Sequence, residues 1–326
     1  MRIKISVLAL IIACLAAVPF DSARAQTKPS PSNITVRPFL QELKIAPGEA
    51  TKQFEVTINN DSKFRQVFSL ATVNFGSLNE TGGLAFEGAS LKRISDKYGL
   101  AKWLKLERNN LELEAGQQAV VKATIHNETD MTPGAHYAAI IITAQKPIEA
   151  VDQLTITPKV SSLVFATKLG GEFYNIHLSS ASHNGSLWKI PTIVNLRLQS
   201  TGNTYIVPRG VVSLKQGSQV ISRGIINAQS AIVLPETVRS FDVQLNSLTK
   251  PQTGWLFTNY TIQVDYRYDG IANFASKSYS HKTLNKTTAL VFLLLISAAL
   301  VFIFSLKHPG LRPKYRKLMK LFKKIE

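Results

Sequence analysis

The segment Tyr137-Ala138-Ala139-Ile140-Ile141-Ile142-Thr143 is apolar along almost its whole length, without alternating apolar and polar positions. A strand with one solvated face alternates, whereas a strand covered on both faces does not. The segment therefore predicts a central strand that is buried on both faces. The turn residues Thr132-Pro133-Gly134 precede it and mark where this strand begins.

The sequence before this strand contains further runs of strand type. Phe54, Val56 and Ile58 alternate with polar residues, and residues 67–73 and 119–125 are rich in β-branched and apolar side chains. Turns rich in Pro, Gly, Asn and Asp separate the runs. Together they predict about seven short strands in residues 33–146, the number typical of an immunoglobulin-like sandwich.

A second series of β patterns follows residue 147. Its strand candidates are residues 174–178, 192–199, 211–215, 219–226, 240–245 and 259–268. One such sandwich needs only about 100 residues. We therefore predict a mainly β fold of two tandem immunoglobulin-like β-sandwiches, in residues 34–146 and 147–282, followed by one C-terminal transmembrane α-helix.

Residues 91–105 have partial helical spacing and predict a short helix or a covered loop. Trp103 begins an alternating segment and is expected in the core. Trp188 lies beside a loop, and the sequence leaves it open whether that side chain is core or a surface platform for sugar stacking.

The N-terminal end is typical of an export signal. Residues 1–25 combine a basic start, an apolar stretch and the cleavage pattern Ala23-Arg24-Ala25, so Gln26 is the predicted start of the mature chain. Residues 26–33 are a polar linker rich in Pro and Ser. A bacterial lipidation site at Cys14 is the alternative processing.

The C-terminal end is typical of a membrane anchor. Residues 287–306 carry no charge, and 20 residues of α-helix span about 30 Å, the thickness of a bilayer core. Residues 307–326 contain eight Lys or Arg and one Glu. Because positive flanks stay in the cytoplasm, we expect a single-pass type I protein of the cell membrane with an extracellular or periplasmic ectodomain.

The basic tail also suits a membrane face, because apolar residues alternate with lysines at helical spacing. Anionic lipid is therefore a predicted partner of the tail. The tail residues assigned to this role are Lys314, Arg316, Lys317, Lys320, Lys323 and Lys324.

The net charge of +17, from 38 basic and 21 acidic residues, would suit a nucleic-acid-binding protein. Residues 26–286, however, hold 27 basic and 19 acidic residues, so much of the excess lies at the two ends. We predict no nucleic-acid partner and a mild preference for an anionic one. The candidate patch for that partner is Lys92, Arg93, Lys97, Lys102, Lys105 and Arg108.

The chain contains no nucleophile elbow, phosphate-binding loop or zinc-protease motif, and its only cysteine lies in the predicted signal peptide. His126 and His136 flank a turn, and a metal site with Glu128 and Asp130 is an alternative with little support. We predict a protein that is not an enzyme and that needs no metal or cofactor.

Two ordered series of short motifs resemble a known family. The second half contains Ser200-Thr201-Gly202-Asn203, Pro208-Arg209-Gly210, Asn227, Leu234-Pro235 and Arg239-Ser240-Phe241. The first half contains Ala46-Pro47-Gly48, Ile58-Asn59-Asn60, Trp103-Leu104, Thr132-Pro133-Gly134 and Tyr137. These series resemble WxL-interacting proteins, bacterial surface proteins with two immunoglobulin-like domains and a C-terminal span. The resemblance implies peptidoglycan binding by the first domain and a protein partner for the second.

The motif residues of the second half have structural explanations. Gly202 and Asn203 suit positive φ at a hairpin turn, and Pro208 and Pro235 are expected at strand ends. The full set of motif residues assigned a structural role is Gly202, Asn203, Pro208, Gly210, Asn227, Pro235 and Arg239.

Three candidate functions follow from these observations. The first is a membrane-anchored surface protein whose ectodomain contacts a cell-wall polymer, another surface protein or both, by strand addition or loop contact. The alternative is a chaperone-like assembly factor that acts by strand addition and resembles periplasmic pilus chaperones. An accessory domain for an enzyme encoded elsewhere is a third candidate.

Overall fold

The computed structural model describes residues 34–88, 94–145 and 159–307. The predicted signal peptide, the linker, Cys14 and the two patch residues Lys92 and Arg93 lie outside the described residues. So does the basic tail from residue 308 onward, with all six of its predicted lipid-facing side chains.

The N-terminal half of the described chain consists of strands and one short 3-10 helix, Asp96–Tyr98. Its strands are β1 (Ile34–Arg37), β2 (Leu40–Ile45), β3 (Thr51–Asn60), β4 (Gln66–Ser77), β5 (Leu84–Phe86), β6 (Leu104–Leu106), β7 (Asn110–Leu113), β8 (Gln118–His126), β9 (Gly134–Ala144) and β10 (Lys159–Lys168).

These strands form two sheets. Sheet I has the order β1-β3-β8-β6, and sheet II has the order β2-β10-β9-β4-β5, with β7 also pairing to β4. All pairs are antiparallel except β2 with β10, which run parallel. Val56 and Ile58 of β3 meet Ile140 and Ile142 of β9 in one apolar core. The two sheets therefore pack as the layers of a sandwich.

The central strand predicted from its continuous apolar run is β9, and this prediction is confirmed. Ile140 and Ile142 are at most 1% exposed and belong to the core between the sheets. Tyr137 and Ala139 lie on the opposite face in a second apolar cluster and are also buried. Both faces of β9 are covered, which is why the run contains so little polar character.

β10 lies after the predicted domain boundary at residue 147 but pairs with strands that lie before it. That boundary placed residues 159–168 in the second sandwich, whereas β10 pairs with β9 over ten residues and with β2 over six. Val164 and Ala166 complete the core between sheets I and II. The strand patterns of residues 155–165 carry no information about which sheet they join, because pairing is a long-range property.

The C-terminal half continues with strands and ends in a helix. Its elements are β11 (Ile176–His183), β12 (Ile193–Ser200), β13 (Pro208–Gln216), β14 (Gln219–Ile226), β15 (Val238–Gln244), β16 (Asn246–Ser247), β17 (Phe257–Tyr268), β18 (Ala275–Leu284) and α1 (Lys286–Lys307).

Sheet III has the order β11-β12-β15, and sheet IV has the order β16-β14-β13-β17-β18. Leu196 and Leu198 of β12 pack against Leu214 of β13 and Val264 of β17, so these sheets also enclose an apolar core. β18 carries no apolar strand pattern in the sequence, because its residues are mostly polar. They suit its position as an edge strand with a solvated face.

The uncharged segment near the C-terminus is confirmed as one long apolar helix. Residues Lys286–Phe304 are long and apolar enough to cross a membrane, and none of this stretch is buried against the rest of the protein. A core helix of a soluble protein would be covered by other elements. The observed fold is thus mainly β with sandwich-like sheet packing and one exposed apolar helix at the C-terminal side.

The segment of residues 91–105, predicted as a short helix or covered loop, contains the 3-10 helix Asp96–Tyr98. Trp103 is 6% exposed and lies in the core, as predicted. Its indole Nε1 donates a hydrogen bond to Asp130 Oδ1 at 2.9 Å, which satisfies the one polar group of the ring.

Phe68 on β4 provides a direct test of this core. Phe68→Ala removes a ring that is 0% exposed between sheets I and II, and we expect a loss of about 3–5 kcal/mol in unfolding free energy. Phe64→Ala is the matched control, because that ring is 72% exposed and its removal is expected to cost less than about 0.5 kcal/mol. Urea unfolding of the full chain in detergent micelles measures both. Equal effects would contradict the position of the core.

Candidate functional site

An aromatic cluster on the outer face of sheet II joins the two halves of the chain. The Phe75 and Tyr137 rings lie 5.0 Å apart, and the Phe165 and Tyr205 rings 4.9 Å apart in an edge-to-face arrangement. Phe75, Tyr137 and Phe165 belong to sheet II, whereas Tyr205 and the neighbouring Leu234 belong to the C-terminal half. Buried aromatic pairs of this kind each contribute about 0.5–1.5 kcal/mol beyond their buried area. We call this contact region the junction.

Asn203, a predicted motif residue, fastens one end of the junction. Its backbone oxygen accepts a hydrogen bond from Ala135 N at 2.8 Å, and its side-chain amide donates to Gly171 O at 2.9 Å and Pro133 O at 3.2 Å. Its Oδ1 accepts from Phe173 N at 2.6 Å. Asn203 therefore ties the turn before β9 to the first residues of the C-terminal half.

The prediction of positive φ at Gly202 and Asn203 is wrong. Neither residue is among those with positive φ in the described chain. Glycine is needed at 202 for a different reason, since a Cβ there would lie 2.2 Å from Phe173 O. The close approach of two backbone segments excludes a side chain, which the local sequence does not reveal.

The other end of the junction is held by Glu80, in the turn between β4 and β5. Arg197 of β12 donates to both carboxylate oxygens of Glu80, from Nε at 2.7 Å and from Nη2 at 2.6 Å. Ser240 N of β15 donates to Glu80 O at 2.7 Å. The hydrogen bond from Arg197 lowers the pKa of the Glu80 carboxyl below its usual range.

The described members of the predicted anionic-partner patch do not form a free basic face. Lys97 pairs with Glu236 across the junction, and Lys102 pairs with Asp130 at 2.8 Å. Arg108 lies 3.3 Å from the carboxylate of its neighbour Glu107. Lys105 is exposed on β6.

Asn227, Pro208 and Pro235 of the motif series shape the turns that reach the junction. The Asn227 amide donates to Pro208 O at 3.0 Å and to Ala231 O at 2.8 Å, and Asn227 has positive φ. Pro208 is the first residue of β13, as predicted for a strand end. Pro235 is buried in the turn before β15. Gly210 lies where a Cβ would be 2.1 Å from Asp265 O.

A cavity of about 240 Å³ opens at the junction, between the outer face of sheet II and residues 230–239. Most of its lining is apolar. Phe39, Leu40, Leu84, Leu163, Phe165, Ile232, Val233 and Leu234 contribute that apolar lining. Apolar pockets with few polar groups are the usual sites for ligands or side chains of a partner.

Arg239, the last residue of the motif set, places a half-buried guanidinium in this cavity. Its Nη1 donates to Ile232 O at 2.6 Å, and the guanidinium lies over the Phe241 ring at 5.8 Å. Burial lowers the pKa of Arg239, and no carboxylate in the described part of the chain forms an ion pair with it. Arg239 rests directly on Gly82, where a Cβ would lie 2.1 Å from Nη2.

Among the described residues, the edge of sheet II beside the cavity is only partly paired, and Ser162 Oγ donates to Pro38 O at 2.6 Å where β2 approaches it. β2 pairs with β10 only from Leu163 onward, where Leu163 N donates to Phe39 O at 2.8 Å. Before that, residues 159–162 of β10 have no strand beyond β9 among the described residues. Phe39, which lines the cavity at this point, is 73% exposed.

The arrangement suits binding of a chain segment. Among the described residues no group of three His, Cys, Asp or Glu side chains could hold a metal, so His126 and His136 are not brought together with Glu128 and Asp130. The sequence singled out Arg239 only as a structural motif residue and gave no sign of Phe39, Glu80 or Leu163. No local pattern marks these residues, because three separate segments bring them together.

Comparison with known proteins gives structural neighbours only. No protein-family model matches the chain, and no curated protein matches it. The class 5 fimbrial chaperone CfaA is similar over 78% of this chain and 100% of its own, with 14% identity and a TM-score of 0.41. A chain of the chaperone–tip adhesin complex of CFA/I fimbriae matches 76% of this chain and 98% of its own, at 15% identity and a TM-score of 0.42.

A chain of the complex between the SafA pilin and the SafB chaperone of Salmonella enterica is also similar. It covers 76% of this chain and 95% of its own, at 10% identity and a TM-score of 0.38.

The prediction of peptidoglycan as the partner is not borne out. The similar structures name a tip adhesin and a pilin as the partners of those chaperones. In the described part of the predicted patch, Lys97 and Lys102 are paired with carboxylates, which offsets their positive charge. The resemblance to WxL-interacting proteins and the absence of enzymatic activity stay predictions.

The Glu80–Arg197 contact predicts a pH dependence of stability. Because the pKa of Glu80 is lowered in the folded protein, the contact stabilises the fold above the pKa of an unfolded Glu, about 4.3. The stabilisation is lost as pH falls through the lower folded-state pKa. Glu80→Gln should therefore lower the urea midpoint at pH 7, and the difference from the wild type should shrink by pH 3.

The matched control is Glu55→Gln, at an exposed position of β3. It should leave the urea midpoint unchanged at both pH values. Two outcomes would contradict the conclusion that the charged Glu80 side chain stabilises the junction. One is an E80Q urea midpoint equal to that of the wild type at pH 7, and the other is an equal decrease of the midpoint at both pH values.

Proposed function

We propose that this chain is a membrane-anchored, chaperone-like assembly factor that receives an extended segment of an exported protein at the open edge of β10. In this proposal the ectodomain consists of two tandem immunoglobulin-like sandwiches, divided after β10 rather than before it. The helix α1 anchors the chain as a single-pass type I protein, with the basic residues from 307 onward in the cytoplasm. The partner is the exported protein that supplies this segment.

The observation that carries the proposal is the edge at the start of β10, with which no described strand other than β9 pairs. Leu163 N faces β2, and backbone groups alternate in direction along a strand, so the N–H and C=O groups of Ser161 and Lys159 face the same open side. An exposed row of unpaired donors and acceptors is a template for one more strand. The sequence before β10 continues an apolar alternation with Leu154 and Ile156, which lie outside the described residues.

The cavity supplies side-chain recognition next to this edge. Leu163 and Phe165 point to the cavity side of sheet II, whereas Val164 and Ala166 point to the core. Every second side chain of an added strand would therefore face the cavity beside Phe39. The guanidinium of Arg239 has no carboxylate partner there, and a charge-assisted hydrogen bond favours an acidic group of the incoming segment.

Blocking the edge tests the proposal. Ser161→Pro removes one of the two N–H groups that face the open edge, and it leaves the hydrogen bonds to β9 intact because Ser161 N points away from β9. Ser161→Ala keeps the N–H and is the matched control. A photo-crosslinking residue at Phe39 reports the partner in membranes of the source cells, and the same residue at the exposed Phe64 is the positional control.

From position 39 we expect a crosslink to an exported β-rich protein. The yield of this product should fall at least tenfold in S161P and stay unchanged in S161A. Position 64 should give no such product. Amide hydrogen exchange of the purified complex should then show protection at residues 159–161. A product that S161P and S161A give in equal amounts, with both variants folded, would overturn strand addition at this edge.

A further inference from the structure

Several large apolar side chains are exposed together where the β domain meets α1. Trp255 is 73% exposed, Trp188 48%, Leu187 46% and Phe257 45%. Single exposed apolar residues are common, but a group of them at one end of a domain marks an interaction surface. We call these four residues the collar.

The collar is fastened to the start of the membrane helix without a linker. β18 ends at Leu284 and α1 begins at Lys286. Leu284 N donates to Leu187 O at 2.6 Å, and Asn285 N donates to Leu256 O at 2.8 Å. Both loops of the collar are therefore hydrogen-bonded to the two residues that precede α1.

Asn285 connects the helix and the collar. Its Oδ1 accepts from Thr287 N at 3.1 Å, which caps the first turn of α1. Its Nδ2 donates to Gly254 O at 3.2 Å, in the loop that carries Trp255. The direction of the helix and the position of this loop thus depend on the same side chain.

The contact between Trp255 and Phe292 sets the depth of the collar. The two rings lie 5.6 Å apart in an edge-to-face arrangement. Phe292 is six residues after Lys286, which corresponds to about 9 Å along the helix axis. With α1 in a bilayer, Trp255 lies beside the first turns of the span, at the depth where Trp is enriched in membrane proteins.

Both loops of the collar have fixed shapes. Two hydrogen bonds between Gln216 and Gln252 hold the base of the Trp255 loop. Gln252 N donates to Gln216 Oε1 at 2.8 Å, and Gln216 Nε2 donates to Gln252 O at 2.7 Å. Ser186 and Lys189 bond in both directions across the turn that carries Trp188, at 2.9 and 3.1 Å. Hydrogen bonds within the protein therefore hold the backbones of the two loops that carry Trp255 and Trp188.

The charges around the collar match a phospholipid surface. Residues 183–191, 246–258 and 280–288 contain Lys189, Lys250, Lys282 and Lys286 and no acidic residue. The Lys282 ammonium lies 4.3 Å from the centre of the Phe257 ring. Lysines beside an aromatic belt keep their charged ends at the phosphates while their stems cover apolar surface.

We propose that the collar inserts into the interface of the bilayer that α1 spans, on the side of the β domain. This contact fixes the height and tilt of sheet IV over the membrane, so the domain does not swing freely on its anchor. The inference is independent of the proposed partner at β10. Its occupant is the lipid bilayer itself, because the collar is continuous with the helix that enters it.

The three tryptophans of the chain make the test direct. The full chain is reconstituted in phosphatidylcholine vesicles with or without acyl chains brominated at shallow positions, since bromine quenches nearby indoles. The variants W188F, W255F and W188F/W255F retain Trp103, which is buried in the core between sheets I and II and serves as the internal reference. Both substituted side chains are exposed, so the fold is expected to survive.

We expect brominated lipid to reduce the emission of W188F, which keeps Trp255, and of W255F, which keeps Trp188. The emission of W188F/W255F should stay the same in both kinds of vesicle. Acrylamide in the aqueous phase should quench the Trp255 emission of W188F in vesicles less than that of a free peptide of residues 250–258 in buffer. Vesicle flotation checks that every variant is inserted.

A W188F variant that floats with the vesicles but is equally bright with and without bromine would overturn the proposal. A full chain that does not float would overturn it together with the membrane assignment of α1. Because flotation and quenching are separate readouts, failure of the collar is distinguishable from failure of the anchor, and neither result depends on the crosslinking experiment at β10.

Discussion

The strand β9 is covered by the core on one face and by the junction on the other, and most of the architecture depends on this double burial. Ile140 and Ile142 hold sheets I and II together, while Tyr137 and Ala139 carry the C-terminal half on the outer face. A strand of this kind tolerates few polar side chains, since a buried polar group without a hydrogen bond costs about 1–3 kcal/mol. The two halves are therefore joined through packing as well as through the chain.

The site at the junction follows from how the C-terminal half rests on sheet II. Asn203 and Glu80 fasten its two ends by hydrogen bonds, and residues 230–239 lie between them over the outer face. Leu234 fills part of this space with the aromatic cluster, but the region beside Phe39 stays open. The same geometry leaves the guanidinium of Arg239 half-buried and facing the cavity. In the proposed function, recognition of a partner therefore depends on the relative position of the halves.

The start of α1 has a comparable dependence on tertiary contacts. Leu187 and Leu256 come from loops that are about 70 residues apart in the sequence, and both accept hydrogen bonds from the residues that link β18 to the helix. A strand that passes into a helix within one residue leaves little freedom for the domain to rotate. In the proposed functions, the membrane contact therefore determines how the open edge of β10 is presented to a partner.

The sequence alone determined the β class of the protein, the apolar C-terminal helix and the identity of β9, because hydrophobic periodicity and long uncharged runs are local properties. It also identified Trp103 as core and selected Asn203, Asn227 and Arg239, although without their contacts. The sheet that β10 joins, the close approach at Gly202 and the polar edge strand β18 needed the tertiary structure. Each of these depends on which backbone lies alongside, and strand pairing between distant segments leaves no mark on either segment by itself. The cavity and the collar belong to the same class, since each is assembled from several segments that are far apart in the sequence and meet only in the folded chain.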